Sequence, residues 1–255
     1  MTARITLGSL AAEDRLEWLS ERLDADGSVT IGTAADALGV SEMTIRRDLA
    51  ALEARGTARR VRGGARAVGP QPFAARQDRA ARAKAVIAAK LVEHVPVEGA
   101  IAFDASSTIT RLVRALDGAR DLTVVTNGPD NFAALQSRPG VEALLTGGRL
   151  EPRTGSLVGP LACRSAAQLS FATFFASAAA VDPASGGLET TLEEAEVKRT
   201  LAGVADRVVL AVDAAKLGTR AVAVGLEWDQ VDLLVTELDP TDDRLAPYRD
   251  VVAVL

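Results

Sequence analysis

The sequence contains one cysteine, Cys163, and one histidine, His94. A single thiol excludes an intramolecular disulfide, and no Cys/His spacing suits zinc, so neither device can organise the fold. His94 closes a helical stretch and reads as a residue stabilised by the helix dipole rather than as a catalyst. Aromatic residues make up only 4% of the chain, too few to stack bases, which disfavours single-stranded or RNA partners. The opening MTARITLGSLAAEDR has no apolar signal-peptide core. The most apolar later stretch, 171–181, falls short of the roughly 20 residues that span a bilayer. The expected location is cytoplasmic, with no membrane partner, no metal and no cofactor.

What is present begins with length and charge. The chain has 255 residues, 48% of them hydrophobic, which implies two units at roughly 100–200 residues per domain. Its net charge is −5, but the charge is unevenly placed. Residues 42–66 carry seven arginines against three acidic residues, and residues 67–90 carry five basic residues against one acidic. Residues 91–255 hold 14 basic and 23 acidic residues. A local basic patch on an acidic protein is a footprint for double-stranded DNA.

The patch lies in VSEMTIRRDLAALEARGTARRVR, residues 40–62. Ser41 is suited to cap a helix that runs to Arg55 and stops at Gly56. Ile45, Leu49 and Leu52 form one apolar stripe that must face a core. The opposite side carries Ser41, Thr44, Arg46 and Arg47, hydroxyls and guanidiniums that suit phosphate oxygens and base edges in a major groove. A basic β-type run follows, with Arg60 and Arg62, and ends at Gly63-Gly64 as a hairpin. Together these predict a winged helix-turn-helix. Upstream, Leu10 to Leu23 predicts a helix with Trp18 at its edge, Asp24 to Gly27 a turn, Val29–Ile31 a strand able to pair with the wing, and Thr33–Leu38 a second helix. Residues 1–66 are thus expected to bind DNA. The glycine and prolines of residues 67–78 mark a linker, and residues 79–255 form a second domain for effector binding and oligomerisation.

In that domain Arg79 to His94 predicts a helix. After it, apolar runs at 100–104, 122–126, 141–146, 207–213 and 231–236 alternate with helical segments at 108–116, 129–136 and 192–205. That alternation means a Rossmann-like, mostly parallel α/β sheet, with ligands beyond the carboxyl ends of the strands. Polar groups recur there: Asp104 to Thr108, Thr126-Asn127-Gly128, Gly147-Gly148-Arg149 and Lys216. Hydroxyls at a helix start form an anion site, although Ser107 could instead be a plain N-cap.

The string VSEMTIRRDLAALEARGTARRVRGGA resembles the N-terminal signature of DeoR-family bacterial transcription regulators. Phe73, Arg76, Lys84, Ile87 and Ala88 are similar to that family's linker and following helix. The second half resembles the family's C-terminal domain, whose fold is similar to ribose-5-phosphate isomerase, through Asp104 to Thr108, Thr126-Asn127, Gly147-Gly148, GSLVGP at 155–160 and Asp213 to Gly218. The resemblance implies that Ser106, Ser107 and Thr108 hold an effector's phosphate. It also implies that Asn127, Gly148, Arg149 and Lys216 line its sugar, and that Asp104 orients a hydroxyl. Two departures stand out. Ser106 replaces the loop glycine, and SAAAVD at 177–182 replaces a G-x-x-GID, keeping Asp182.

The expected function is therefore a repressor of a sugar operon, a homodimer or tetramer released from operator DNA by a phosphorylated sugar. The alternative is a sugar-phosphate isomerase with a DNA-binding head, using a base among Asp104, Asp182, Glu193, Glu194 and Lys216.

Overall fold

Leu16, Leu19 and Leu23 lie along one face of α1 (Ala12–Asp26) and are buried, in a computed structural model that describes residues 12–55, 57–67, 73–78 and 80–255. The helix runs through the expected turn to Asp26, and Gly27 then reverses the chain at φ 72°. Leu10, Gly56 and Arg79, expected at helix ends, lie outside the described residues.

Strand β1 (Ser28–Thr30) has the expected length but lies one residue earlier than expected, because Ile31 opens α2 (Ile31–Leu38). Thr30 has an extended backbone, and its hydroxyl accepts a bond from Thr33 N at 3.2 Å, so the helix starts two residues earlier than the expected Thr33. The expected reading helix, α3 (Glu42–Ala54), starts after Ser41, whose hydroxyl accepts from Thr44 N at 3.2 Å. Ile45, Leu49 and Leu52 are at most 2% exposed. Burial of each contributes on the order of 1.5–3 kcal/mol, and together they seat α3 on α1 and α2. The wing is β2 (Ala58–Val61) and β3 (Gly64–Ala67), with β1 completing an antiparallel sheet in the order β1-β3-β2. Gly64 is required there: a Cβ would lie 2.1 Å from the Val29 carbonyl oxygen of β1.

A short helix, α4 (Phe73–Asp78), occupies the second half of the expected linker. At six residues it is too short to display an apolar stripe, and the Arg76 guanidinium stands 5.4 Å from the centre of the Phe73 ring. The chain divides into two compact units at this point, Met1–Arg76 and Gln77–Leu255.

The second unit opens with α5 (Ala81–Val92), β4 (Glu98–Phe103), α6 (Ser107–Ala115), β5 (Asp121–Thr126), α7 (Pro129–Leu135) and β6 (Val141–Leu145). A hairpin follows, β7 (Arg149–Glu151) and β8 (Ser156–Val158), then α8 (Pro160–Ala166) and β9 (Thr173–Ala176). The remainder comprises β10 (Ala180–Asp182), β11 (Gly186–Glu189), α9 (Leu192–Ala202), β12 (Val208–Ala211), β13 (Ala223–Leu226), β14 (Leu233–Val235) and β15 (Ala253–Val254). Seven strands form a parallel sheet in the order β15-β14-β12-β9-β4-β5-β6, and β10, β11 and β13 form a small antiparallel sheet. The fold is thus α/β with a winged helix-turn-helix before it.

The sheet is apolar on both faces, as parallel strands require. Phe174 packs into one cluster with Leu210, and its neighbour Phe175 packs into the other with Phe103 and Val209. Phe103 and Phe175 meet edge to face at 5.5 Å. Beyond the five expected strands, the sheet includes β9 and β15. Strand β9 sits inside the uninterrupted apolar run 171–181, where no turn residue marks an end, and β15 has only two residues.

Candidate functional site

On the reading surface, Ser41 and Thr44 hydroxyls lie 2.9 Å apart and bond to each other as well as to the helix backbone. Arg46 donates to Glu42, one turn back, at 2.7 Å. Arg60 donates to Glu53 through its guanidinium at 2.6 Å and its backbone N at 2.9 Å. Burial and acids of the remaining surface leave a simple pattern. Asp48, 5% exposed, faces inward and takes a two-pronged bond from Arg15 of α1, at 2.8 and 3.2 Å. Each of the three acids of this segment therefore holds one arginine. Among the described residues, Arg47, Arg55, Arg59, Arg62 and Arg66 are exposed and have no carboxylate within ion-pairing distance. Arg59 and Arg66 stand directly opposite across the wing strands, two like charges side by side.

In the second unit the strand order reverses between β4 and β9: β5 and β6 continue to one side, β12, β14 and β15 to the other. Such a switch point opens a crevice at the carboxyl ends of the strands. Asp104 closes β4 there and is 4% exposed. One of its oxygens accepts from Ser106 N at 2.9 Å; the other accepts from Ser177 N at 2.7 Å and lies 3.2 Å from the Lys198 ammonium. Both oxygens are thus committed to protein donors, so Asp104 shapes the loop.

Lys198, on α9, also donates to Glu189 and to the Ser177 carbonyl. Burial alone disfavours its ammonium, but Glu189 and Asp104 outweigh that cost and hold its pKa above the usual lysine range. Burial pushes the Glu189 carboxyl above its usual range, against the pull of Lys198.

Ser106, and not Ser107, caps α6: its hydroxyl accepts from Ile109 N at 3.2 Å. Its φ of −78° is ordinary, so the loop does not need a glycine at this position. Ser107 is buried and accepts from Lys84 Nζ at 3.0 Å, and Thr108 is fully buried, 3.5 Å from the Ser177 hydroxyl. Asn127, at the end of β5, is 3% exposed. Its Nδ2 donates to the Leu157 carbonyl at 3.2 Å, but its Oδ1 has no hydrogen-bond partner. Gly128 next to it lies so close to Ala105 that a Cβ would approach within 2.9 Å, which brings the β5 end against the 104–108 loop. From the 3-10 turn after β12 (Ala214–Lys216), Lys216 reaches the same place, donating to the Ala178 carbonyl at 2.7 Å and the Ser177 hydroxyl at 3.2 Å. The serine that replaces the expected glycine at 177 is therefore a full member of the cluster.

Gly148 sits at φ 122°, and a Cβ would lie 2.9 Å from the Val158 carbonyl oxygen, so it lets the hairpin close on α8. Arg149 is 59% exposed and faces Glu151 at 3.5 Å and Glu193 at 3.7 Å. Among the described residues its ion-pair partners are these two glutamates, and neither belongs to the Asp104 cluster. Lys84, Ser177, Glu189 and Lys198 escaped notice as site residues. Ser177 follows the unrecognised β9, and Lys84 lies on a helix 23 residues upstream of Ser107.

The carboxylates considered as catalytic bases are engaged. Asp182 accepts from Ala184 N and Ser185 N, both at 3.0 Å, and Glu194 accepts from Thr154 at 2.5 Å and from Ser156.

Two family models match the chain. Residues 15–71 match the DeoR-like helix-turn-helix domain, and residues 79–238 match the DeoR C terminal sensor domain. The chain is 34% identical over 218 residues to the HTH-type transcriptional regulator GlpR of Haloferax volcanii, covering 84% of this chain and 85% of that protein. It is 29% identical over 242 residues to a putative aga operon transcriptional repressor of Escherichia coli O157:H7, covering 92% and 90%. Among solved structures, ribose 5 phosphate isomerase A from Neisseria gonorrhoeae is 20% identical over 52% of each chain at a TM-score of 0.37. The strand order, and not that likeness, defines the fold.

Proposed function

The chain belongs to the DeoR family of transcription regulators, a DNA-binding regulator with a sensor domain and not an enzyme, and from that premise we propose that it represses a carbohydrate operon and leaves its operator when a phosphorylated sugar binds. The observation that carries the effector half is Asn127. A buried amide oxygen without a partner costs about 1–3 kcal/mol, and a sugar hydroxyl donating to it removes that cost. The amino end of α6 and the Ser107 hydroxyl beside it take the phosphate. Lys216 and Ser177 border the sugar, and Ser106, Thr108 and Asp104 keep the loop in shape.

For DNA, Arg47 reads the major groove from the exposed first turns of α3, and Arg62 at the wing turn meets the backbone, with Ser41 and Thr44 beside them. Arg46 and Arg60 join only by exchanging their glutamates for phosphates. A homodimer or tetramer sets two reading helices about 34 Å apart, in successive major grooves.

The test is fluorescence anisotropy at fixed salt, with duplex DNA from upstream of the protein's own coding region and a scrambled control. Selective binding released by one phosphorylated sugar is the expected result. Selective binding that no phosphorylated sugar alters would remove the effector half.

A further inference from the structure

Lys84 lies on α5, the first helix after the linker, yet its ammonium ends at the loop proposed for the phosphate. It is 3% exposed, and Nζ is 3.0 Å from the hydroxyl of Ser107, itself 4% exposed, at the amino end of α6. One turn along α6, Arg111 donates to the Gln77 carbonyl at 3.3 Å. Ser107 and Arg111 share one face of α6, so that face grips the incoming chain at two points, residues 77 and 84. Between them sits Ala80, with φ 53° and ψ 34°, the one non-glycine residue at positive φ among those described. It precedes α5 with no side-chain cap, and its carbonyl accepts from Lys84 N at 3.0 Å. An alanine there is held against its intrinsic preference and stays only while neighbouring contacts enforce it.

We infer that Lys84 is the cation that receives the effector's phosphate, and that its turn from Ser107 to the phosphate loosens the grip of α6 on residues 77–84, the segment that leads in from the DNA-binding unit. The inference rests on the 104–108 loop being the phosphate site. A helix start alone would not establish a ligand there. The unpartnered, buried Asn127 oxygen on the adjoining strand end is an independent sign of one. The chemistry favours the transfer. A bond from an ammonium to a phosphate oxygen is roughly twice as strong as one to a neutral hydroxyl, and the ammonium has three protons to redistribute. Release then lets Ala80 return to an ordinary conformation, so the strain works in the direction of effector binding.

The experiment uses the full chain. Binding of inorganic phosphate, ribose 5-phosphate, glucose 6-phosphate and fructose 1-phosphate is measured by calorimetry, and release from the upstream duplex by anisotropy. For whichever ester the wild type binds, Lys84→Met is expected to weaken binding at least tenfold, with Lys84→Arg recovering part of the loss. Ala80→Gly removes the strain from the gripped state. It should raise the ester concentration needed for release about fivefold, the factor matching the lower end of the cost of that conformation. Wild-type binding of an ester that Lys84→Met leaves intact would overturn the assignment of Lys84 alone. An unchanged release concentration in Ala80→Gly would overturn the lever. Absence of binding by the wild type to every probe would overturn the phosphate site itself. If Lys84→Met does not fold, Lys84→Gln is judged by the same tenfold criterion.

Discussion

The DNA-reading surface and the sensor crevice both use positive charge, in opposite ways. On the reading unit, five arginines without carboxylate partners among the described residues are exposed, and each of the three local acids holds one arginine. In the crevice, Lys198 and Lys84 are buried, and Lys198 is compensated by Glu189 and Asp104. The difference follows from the anion each would meet. A polyanion surrounded by condensed counterions is bound by solvated cations that displace them. A small phosphate is taken out of water, so its site must be held in position before it arrives. Removing a buried, ion-paired charge should therefore damage folding, and removing an exposed one on the head should damage binding.

The largest effect is expected from Lys198→Met, which leaves Glu189 and Asp104 buried without their cation. It should destabilise the sensor unit by about 3–5 kcal/mol in urea unfolding followed by circular dichroism. A loss below about 1 kcal/mol would erase the contrast. The same group sets a pH limit. Its folded pKa is raised, so its contribution is complete below the unfolded lysine pKa of about 10.4 and is lost as pH rises through the folded value. Sensor stability should fall in strongly alkaline buffer, and less so in Lys198→Met.

Asp48→Ala comes next, because Asp48 is the one acid of the reading helix that is buried. It should cost the first unit about 2 kcal/mol, below the roughly 3–5 kcal/mol of a fully buried broken pair because Arg15 can reach water. An unchanged midpoint would mean that Arg15 does not hold α3. Arg47→Ala should leave stability alone and weaken specific DNA binding by about 1–3 kcal/mol. Unchanged affinity would take Arg47 out of the readout. The smallest effect is expected from Arg59→Ala or Arg66→Ala. Either should weaken specific and scrambled DNA alike and lower the slope of log affinity against log salt by about 0.9. A loss confined to the specific duplex would turn these wing arginines into base readers.

The reading head was legible almost residue by residue, because each of its signals is local. Ser41 caps within three residues, the Ile45–Leu49–Leu52 stripe spans two turns, and Gly63-Gly64 marks the hairpin. In the second unit, strands bounded by turn residues were legible, whereas β9 was hidden in an unbroken apolar run and took Ser177 with it. The Lys84–Ser107 and Lys198–Asp104 contacts join residues 23 and 94 positions apart, and no periodicity reports such distances. Capping by Ser107, the alternative to an anion site, falls to its neighbour Ser106. Two adjacent serines can each cap a helix in principle, and only the backbone decided for Ser106.

The position of β9 has a consequence for synthesis. Strands β4, β5 and β6 are complete by residue 145, but β9, residues 173–176, must enter between β4 and β12 before the two halves of the sheet can join. The winged head has its last strand by residue 67 and pairs mostly near neighbours. Such local topologies form fast, and sheets that await distant strands form slowly. On the ribosome, this polypeptide completes its winged head more than a hundred residues before the strand ends proposed to hold the effector can come together.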